Sequence, residues 1–135
     1  MSVLLHEDLT RQVIGIAFKV YNAMGYGVRE QYIHRAFAQE FRGAGIPFEH
    51  EVVIPLTYNG ERIGTYRIDF IVGTTVVVEL KVVPFVKHVH VRQVLEYLRS
   101  LEKTLALLIF FTQTGVKVKR ILLPKIAACI SSSSV

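Results

Sequence analysis

The chain has 135 residues, 51% of them hydrophobic, with a formal net charge of +5 and a pI near 9.5. That length buries one core, so a single domain over residues 1–125 is expected, and the apolar content excludes a disordered chain. The run from Leu105 to Phe111 is too short to span a bilayer, and His6, Glu7 and Asp8 stand where a secretion signal would need an apolar stretch. The single Cys129 excludes an internal disulfide and suits a reducing, cytoplasmic setting. A positive balance is compatible with a polyanionic partner such as nucleic acid, although many basic proteins have none.

In chain order, Leu9, Val13, Ile16, Ala17 and Val20 recur at helical spacing, which predicts a helix over Asp8 to Asn22, ended by Gly25-Tyr26-Gly27. A second helix is expected from about Arg29 to Arg42, burying Ile33, Phe37 and Phe41 and stopping at Gly43 and Gly45. From Phe48 the period becomes that of strands. Glu51 to Tyr58 leads into Asn59-Gly60, a strong hairpin signal, and Pro55 points to an edge strand or a bulge. Arg62 to Val72 and Val76 to Val83 form the next two strands, joined at Gly73-Thr74-Thr75, and Pro84 closes the second. His88 to Leu101 reads as a helix with Val91, Val94, Leu95 and Leu98 on one face. Thr104 to Phe111 and Val116 to Leu122 complete the set, and Ser131 to Ser134 belong to an expected flexible tail over residues 126–135. The order ααβββαββ is an α/β arrangement in which the third helix crosses over between the third and fourth strands and makes them parallel neighbours.

Three charges interrupt the apolar strands: Asp69, Glu79 and Lys81. Alternation puts Glu79 and Lys81 on one face with Val77, while Val76, Val78, Leu80 and Val82 line the other. Antiparallel pairing about the short turn brings Asp69 towards Glu79, and two close carboxylates repel, a conflict that a bound divalent cation would remove. Carboxylate oxygens suit a hard divalent ion such as Mg²⁺ or Mn²⁺. The same charges also read as an ordinary ion pair on a half-exposed sheet.

Asp69, then Glu79-Leu80-Lys81, then a helix with Gln93 and Tyr97, resembles the PD-(D/E)XK nuclease superfamily, and within it the GxxExxY family of small bacterial proteins. The resemblance runs through Gly27-Val-Arg-Glu30, Tyr58-Asn-Gly60, Arg67-Ile-Asp-Phe70, Val78-Glu-Leu-Lys81, His90-Val-Arg-Gln93, Tyr97-Leu98, the Leu-Ile-Phe-Phe strand and Lys119-Arg120-Ile121. Two positions depart from it. The family's tyrosine three residues after its glutamate is Ile33 here, with Tyr32 beside it, and Ile68 replaces the proline before the first acid. The resemblance implies a restriction-endonuclease-like core, a mixed β-sheet flanked by helices. It also implies that Asp69, Glu79, the carbonyl of Leu80 and Glu30 hold Mg or Mn, that Lys81 serves the attacking water, and that Gln93, Tyr97 and His90 position substrate or Lys81.

Each residue has a plainer reading as well. Glu30 suits the positive end of a helix, Gln93 and Tyr97 are ordinary helix residues, and His88 and His90 are solvated histidines near a helix start. Lys87, Arg92, Arg99, Lys117, Lys119 and Arg120 are basic residues suited to phosphate, none assigned individually. The expected function is metal-dependent hydrolysis of nucleic acid, DNA before RNA, through Glu30, Asp69, Glu79 and Lys81, with a homodimer as the arrangement that cuts two strands. The alternative is a catalytically silent module of the same fold that binds nucleic acid or a protein.

Overall fold

The computed structural model describes residues 7–123, apart from the side chain of Tyr97. The expected tail and Cys129 lie outside the described residues. Helix α1 (Glu7–Met24) carries Glu7 and Asp8 in its first turn, where acids favour the positive helix end, and buries Val13, Ile16, Ala17 and Val20. Helix α2 (Glu30–Gly43) buries Ile33, Phe37, Ala38 and Phe41. It ends at Gly45, whose φ of 70° lets Gly45 N donate to the Arg42 carbonyl and Ile46 N to that of Phe41. That pair of bonds satisfies carbonyls the helix leaves open.

Strands β1 (Phe48–Tyr58) and β2 (Glu61–Val72) form a hairpin about Asn59 and Gly60, at φ 50° and 80°. Both values are positive, which the Asn-Gly pair accommodates at little cost. Strand β3 (Val76–Val82), helix α3 (Val89–Leu101), strand β4 (Leu105–Thr112) and strand β5 (Gly115–Leu122) complete the order. The sheet runs β1-β2-β3-β4-β5, antiparallel except for β3 beside β4. The crossover through α3 therefore produces the parallel pair its sequence position requires. Strand β1 is at the edge, with a register shift between Leu56 and Thr57, so Pro55 sits where a missing N–H is tolerated.

The architecture is a mixed sheet with helices on both faces. On one face α1 and α2 pack Phe37 and Phe41 against Phe70, Val78, Leu80 and Phe111. On the other, Val94 and Leu98 of α3 cover Ile71, Val77, Leu108 and Phe110. Strand β4 is buried over its whole length, as expected for a central strand covered twice. Each fully buried Phe or Leu contributes about 2 kcal/mol of transfer free energy, so these two layers stabilise the position of β3 in the sheet.

Candidate active site

The charged residues meet where the sheet opens. Strands β2 and β3 pair only through Phe70–Val78, Ile71–Val77 and Val72–Val76, and then diverge. Two carboxylates take over the backbone groups that the ladder abandons. Leu80 N donates to Asp69 Oδ2 at 2.7 Å, and Asp69 N donates to Glu79 Oε2 at 3.2 Å. A strand residue turns its N–H and C=O to the same side, so the Leu80 carbonyl also faces the gap towards Asp69. Strand β1 is distorted at the same level: between the pairs His50–Phe70 and Val52–Ile68, Glu51 adopts a φ of 54°. Strict alternation is lost there too, since Ile68 and Ile71 both pack on the α3 side while Phe70 packs on the other.

Helix α2 supplies the other half of the cluster. Glu30 is its first residue, and its Oε2 accepts from Val82 N at 3.4 Å, which ties the helix start to the end of β3. One turn later His34 lies beneath it, 12% exposed at the side chain. Its Nε2 lies 3.5 Å from Asp69 Oδ2 and 3.7 Å from Glu30 Oε1. Nε2 is buried and has no hydrogen-bond partner among the described residues, whereas Nδ1 is 3.1 Å from Nε2 of His50. His50 in turn stacks on Phe70, with ring centres 4.5 Å apart and planes 16° from parallel. A donor atom each from Glu30, His34 and Asp69 lies within 4.8 Å of the others.

The electrostatics follow from this packing. Burial opposes charge on His34, but Asp69 and Glu30 outweigh it and hold its pKa up at about 9. Burial also works against the Asp69 carboxylate, yet contact with His34, Glu79 and the Leu80 N–H leaves it below the ordinary range. Glu79 goes the other way. Only 3% exposed, it is pushed far above the usual carboxylate range, first by burial and then by the charge of Asp69. His50 is lowered by burial and by His34. A buried imidazole nitrogen facing two carboxylates is stable in two ways, with a proton on it or with a cation shared by all three. The two-oxygen, one-nitrogen donor set fits a divalent metal ion.

The structure thus places Glu30 beside Asp69 and His34, and Glu79 against Asp69, with Lys81 near Glu79. Lys81 is half-buried, its charge acts on both Glu79 and His90, and it has no hydrogen bond or ion pair among the described residues. His90 sits over Phe110, ring centres 5.9 Å apart, and burial together with Lys81 and Lys87 lowers its pKa. Gln93 is exposed on α3 with no hydrogen bond to the acidic group, and the side chain of Tyr97 lies outside the described residues. Ile33 is wholly buried, and Tyr32 points outward beside Arg35. His34 and His50 were not legible as site residues. The available signal was the four-residue spacing from Glu30 to His34, which puts both on one helix face.

A model of the PD-(D/E)XK nuclease superfamily matches residues 7–121. The chain belongs to that superfamily. Its members generally use divalent metal ions, in keeping with the acidic and histidine cluster described above. The crystal structure of SSO0001 superposes on this superfamily member with a TM-score of 0.54 at 17% identity, over 93% of this chain and 64% of that one. That likeness shows the shared fold, and this chain spans 64% of the other's length. No curated protein matches the chain. No helix among the described residues is long and apolar enough to cross a membrane.

Proposed function

We propose that this PD-(D/E)XK protein, of the GxxExxY type, is a metal-dependent nuclease that hydrolyses phosphodiester bonds of DNA in the cytoplasm. The observation that carries this reading is the buried Nε2 of His34, which makes no hydrogen bond among the described residues and faces the carboxylates of Asp69 and Glu30. Glu30, His34, Asp69 and the Leu80 carbonyl would hold the ion, and Glu79 would join on losing its proton. The nitrogen donor favours Mn²⁺ over Mg²⁺, because imidazole suits softer ions than magnesium. A bound divalent ion supplies Lewis-acid activation of water and neutralises charge on the phosphate.

The chain's own residues do the rest. Asp69 and Glu79 brace the opened strands against each other, so that the donor set is fixed before substrate arrives. His50 turns the His34 ring so that Nε2 points into the gap. Lys81, with no competing anion bonded to it, is left to a phosphate oxygen or to the attacking water, where an ammonium stabilises the charge that grows in the transition state. In the overall step the water oxygen bonds to phosphorus as the bond from phosphorus to the leaving sugar oxygen breaks. One water proton is released, and the other ends on a product oxygen.

The test is cleavage of plasmid, single-stranded DNA and RNA with Mn²⁺ or Mg²⁺, comparing the parent with Asp69→Ala and Lys81→Ala. Cutting that needs metal and disappears in both variants supports the reading. Cutting that persists in both assigns the activity to a contaminant. Absence of cutting, together with absence of Mn²⁺ binding, leaves a silent module of the same fold.

A further inference from the structure

Beside the acidic cluster the same sheet carries two exposed lysines, Lys117 and Lys119, that the metal chemistry does not use. Lys81 on β3 is opposite Phe110 on β4, and Phe110 is opposite Lys117 on β5; Glu79, Leu108 and Lys119 form the next row. Residues directly opposite one another share a face, so the exposed Lys117 and Lys119 lie on the same side of the sheet as the half-buried Lys81 and the buried Glu79. With strands about 4.8 Å apart, the β5 lysines stand two strands, roughly 10 Å, from the Lys81 column. Both are exposed. An open groove of about 420 Å³ runs here, lined by Pro84, Phe85, Val86, Thr112, Lys117 and Lys119 among others.

Phe85 is the unusual member. The residue is 64% exposed, with Lys87 Nζ 5.8 Å from the ring centre. The loop beneath it is pinned, because Pro84 limits the backbone and its carbonyl accepts from Gln113 N at 3.4 Å. The groove also begins close to the cluster: Pro84 is two residues beyond Val82, the residue whose N–H meets Glu30. At about 3.3 Å per extended residue, that is roughly 7 Å of chain.

We infer that this groove binds an unpaired nucleic-acid strand at the metal site, with one base stacked on Phe85 and the backbone phosphates on Lys117 and Lys119. The inference rests on the nuclease reading and deepens it by naming the form of the substrate. An exposed aromatic ring on a pinned backbone, with ammonium groups nearby, matches the two needs of a single strand, a platform for a base and cations for its phosphates. A paired, stacked duplex offers no free base face to that ring.

The experiment uses fluorescence anisotropy with a short labelled oligothymidine and a blunt duplex of equal length, in Ca²⁺ so that binding is read apart from turnover. The parent is expected to prefer the single strand. Phe85→Ala should weaken that binding by about 5- to 150-fold, the usual span for loss of one stacked base, while Phe85→Tyr restores it and Phe85→Leu does not. The Lys117→Ala, Lys119→Ala double variant should lower the slope of log affinity against log salt by about 1.4, from two phosphate contacts at about 0.7 each on a single strand. Phe85 and both lysines are exposed, and unchanged circular dichroism verifies that the variants fold. Parent-like binding by Phe85→Ala, or equal loss on duplex and single strand, overturns the groove assignment even if Mn²⁺-dependent cutting is intact. A parent that neither binds nor cuts any nucleic acid overturns the nuclease reading itself.

Discussion

Loading of the acidic cluster with Mn²⁺ should depend steeply on pH, with a sign set by His34. The His34 ring keeps its proton up to about 9 because Asp69 and Glu30 outweigh the opposing effect of burial. A cation takes Nε2 only after that proton leaves. At pH 7.5 a group with a pKa near 9 is free of its proton in about 3% of molecules, so the proton weakens apparent affinity roughly 30-fold. Affinity should therefore rise close to tenfold per pH unit between 6.5 and 8.5 on this account alone and level off above 9. Glu79, also protonated in this range, adds up to a second proton where it joins the ion, whereas His50 is lowered and contributes none. The electron paramagnetic resonance signal of free Mn²⁺ measures the binding directly. In His34→Ala the slope should fall by one proton and affinity at pH 8.5 should drop at least tenfold, the lower end of what loss of even an orienting group costs. A parent with flat affinity across this range, or a variant with an unchanged slope, would refute His34 as a metal donor.

The same raised pKa makes the metal-free fold less stable in alkali. Folded His34 holds a proton that the unfolded ring releases above 6.5, so its stabilisation is complete below that value and is lost as pH rises through about 9. Thermal melts of the apoprotein should show Tm falling over that window, and saturating Mn²⁺ should flatten the decline. His50→Ala should weaken Mn²⁺ binding about 10- to 100-fold without changing stoichiometry, because it removes the partner of His34 Nδ1. Lys81→Ala should leave Mn²⁺ binding intact and abolish cutting, a split read by pairing the resonance titration with a plasmid assay. Glu79→Gln keeps a neutral side chain in a site that is already protonated, so its metal-free Tm should match or exceed the parent's at pH 8 while cleavage is lost.

Local signals were enough to read most of the fold. Asn59-Gly60 turns the hairpin with two positive φ angles, Gly45 closes α2, and the run from Leu105 to Phe111 lies in a strand buried on both faces. These features depend on backbone preference and periodicity, which the chain carries residue by residue. The crossover was legible because a helix between two strands constrains their direction whatever its side chains are. The alternation of β3 held as well, with Val76, Val78, Leu80 and Val82 packing on one side and Val77 on the other.

The site was legible only in part, for a physical reason. Asp69 and Glu79 stand out as charges inside apolar strands, and the conflict between them is real. What alternation does not reveal is that the ladder parts after Phe70 and Val78, so that each carboxylate fills in for a lost backbone partner. Their closeness is thus a consequence of the opening, and the opening also breaks the face pattern at Ile68. His34 is less visible still. It sits on a helix among residues such as Arg35 and Ala36, remote in sequence from both strands, and only the packing of Phe37 and Phe41 on Phe70 brings its ring over Asp69. A metal donor of this kind is specified by the core beneath it, so disturbing Phe70 should move the histidine pair even though that residue carries no charge.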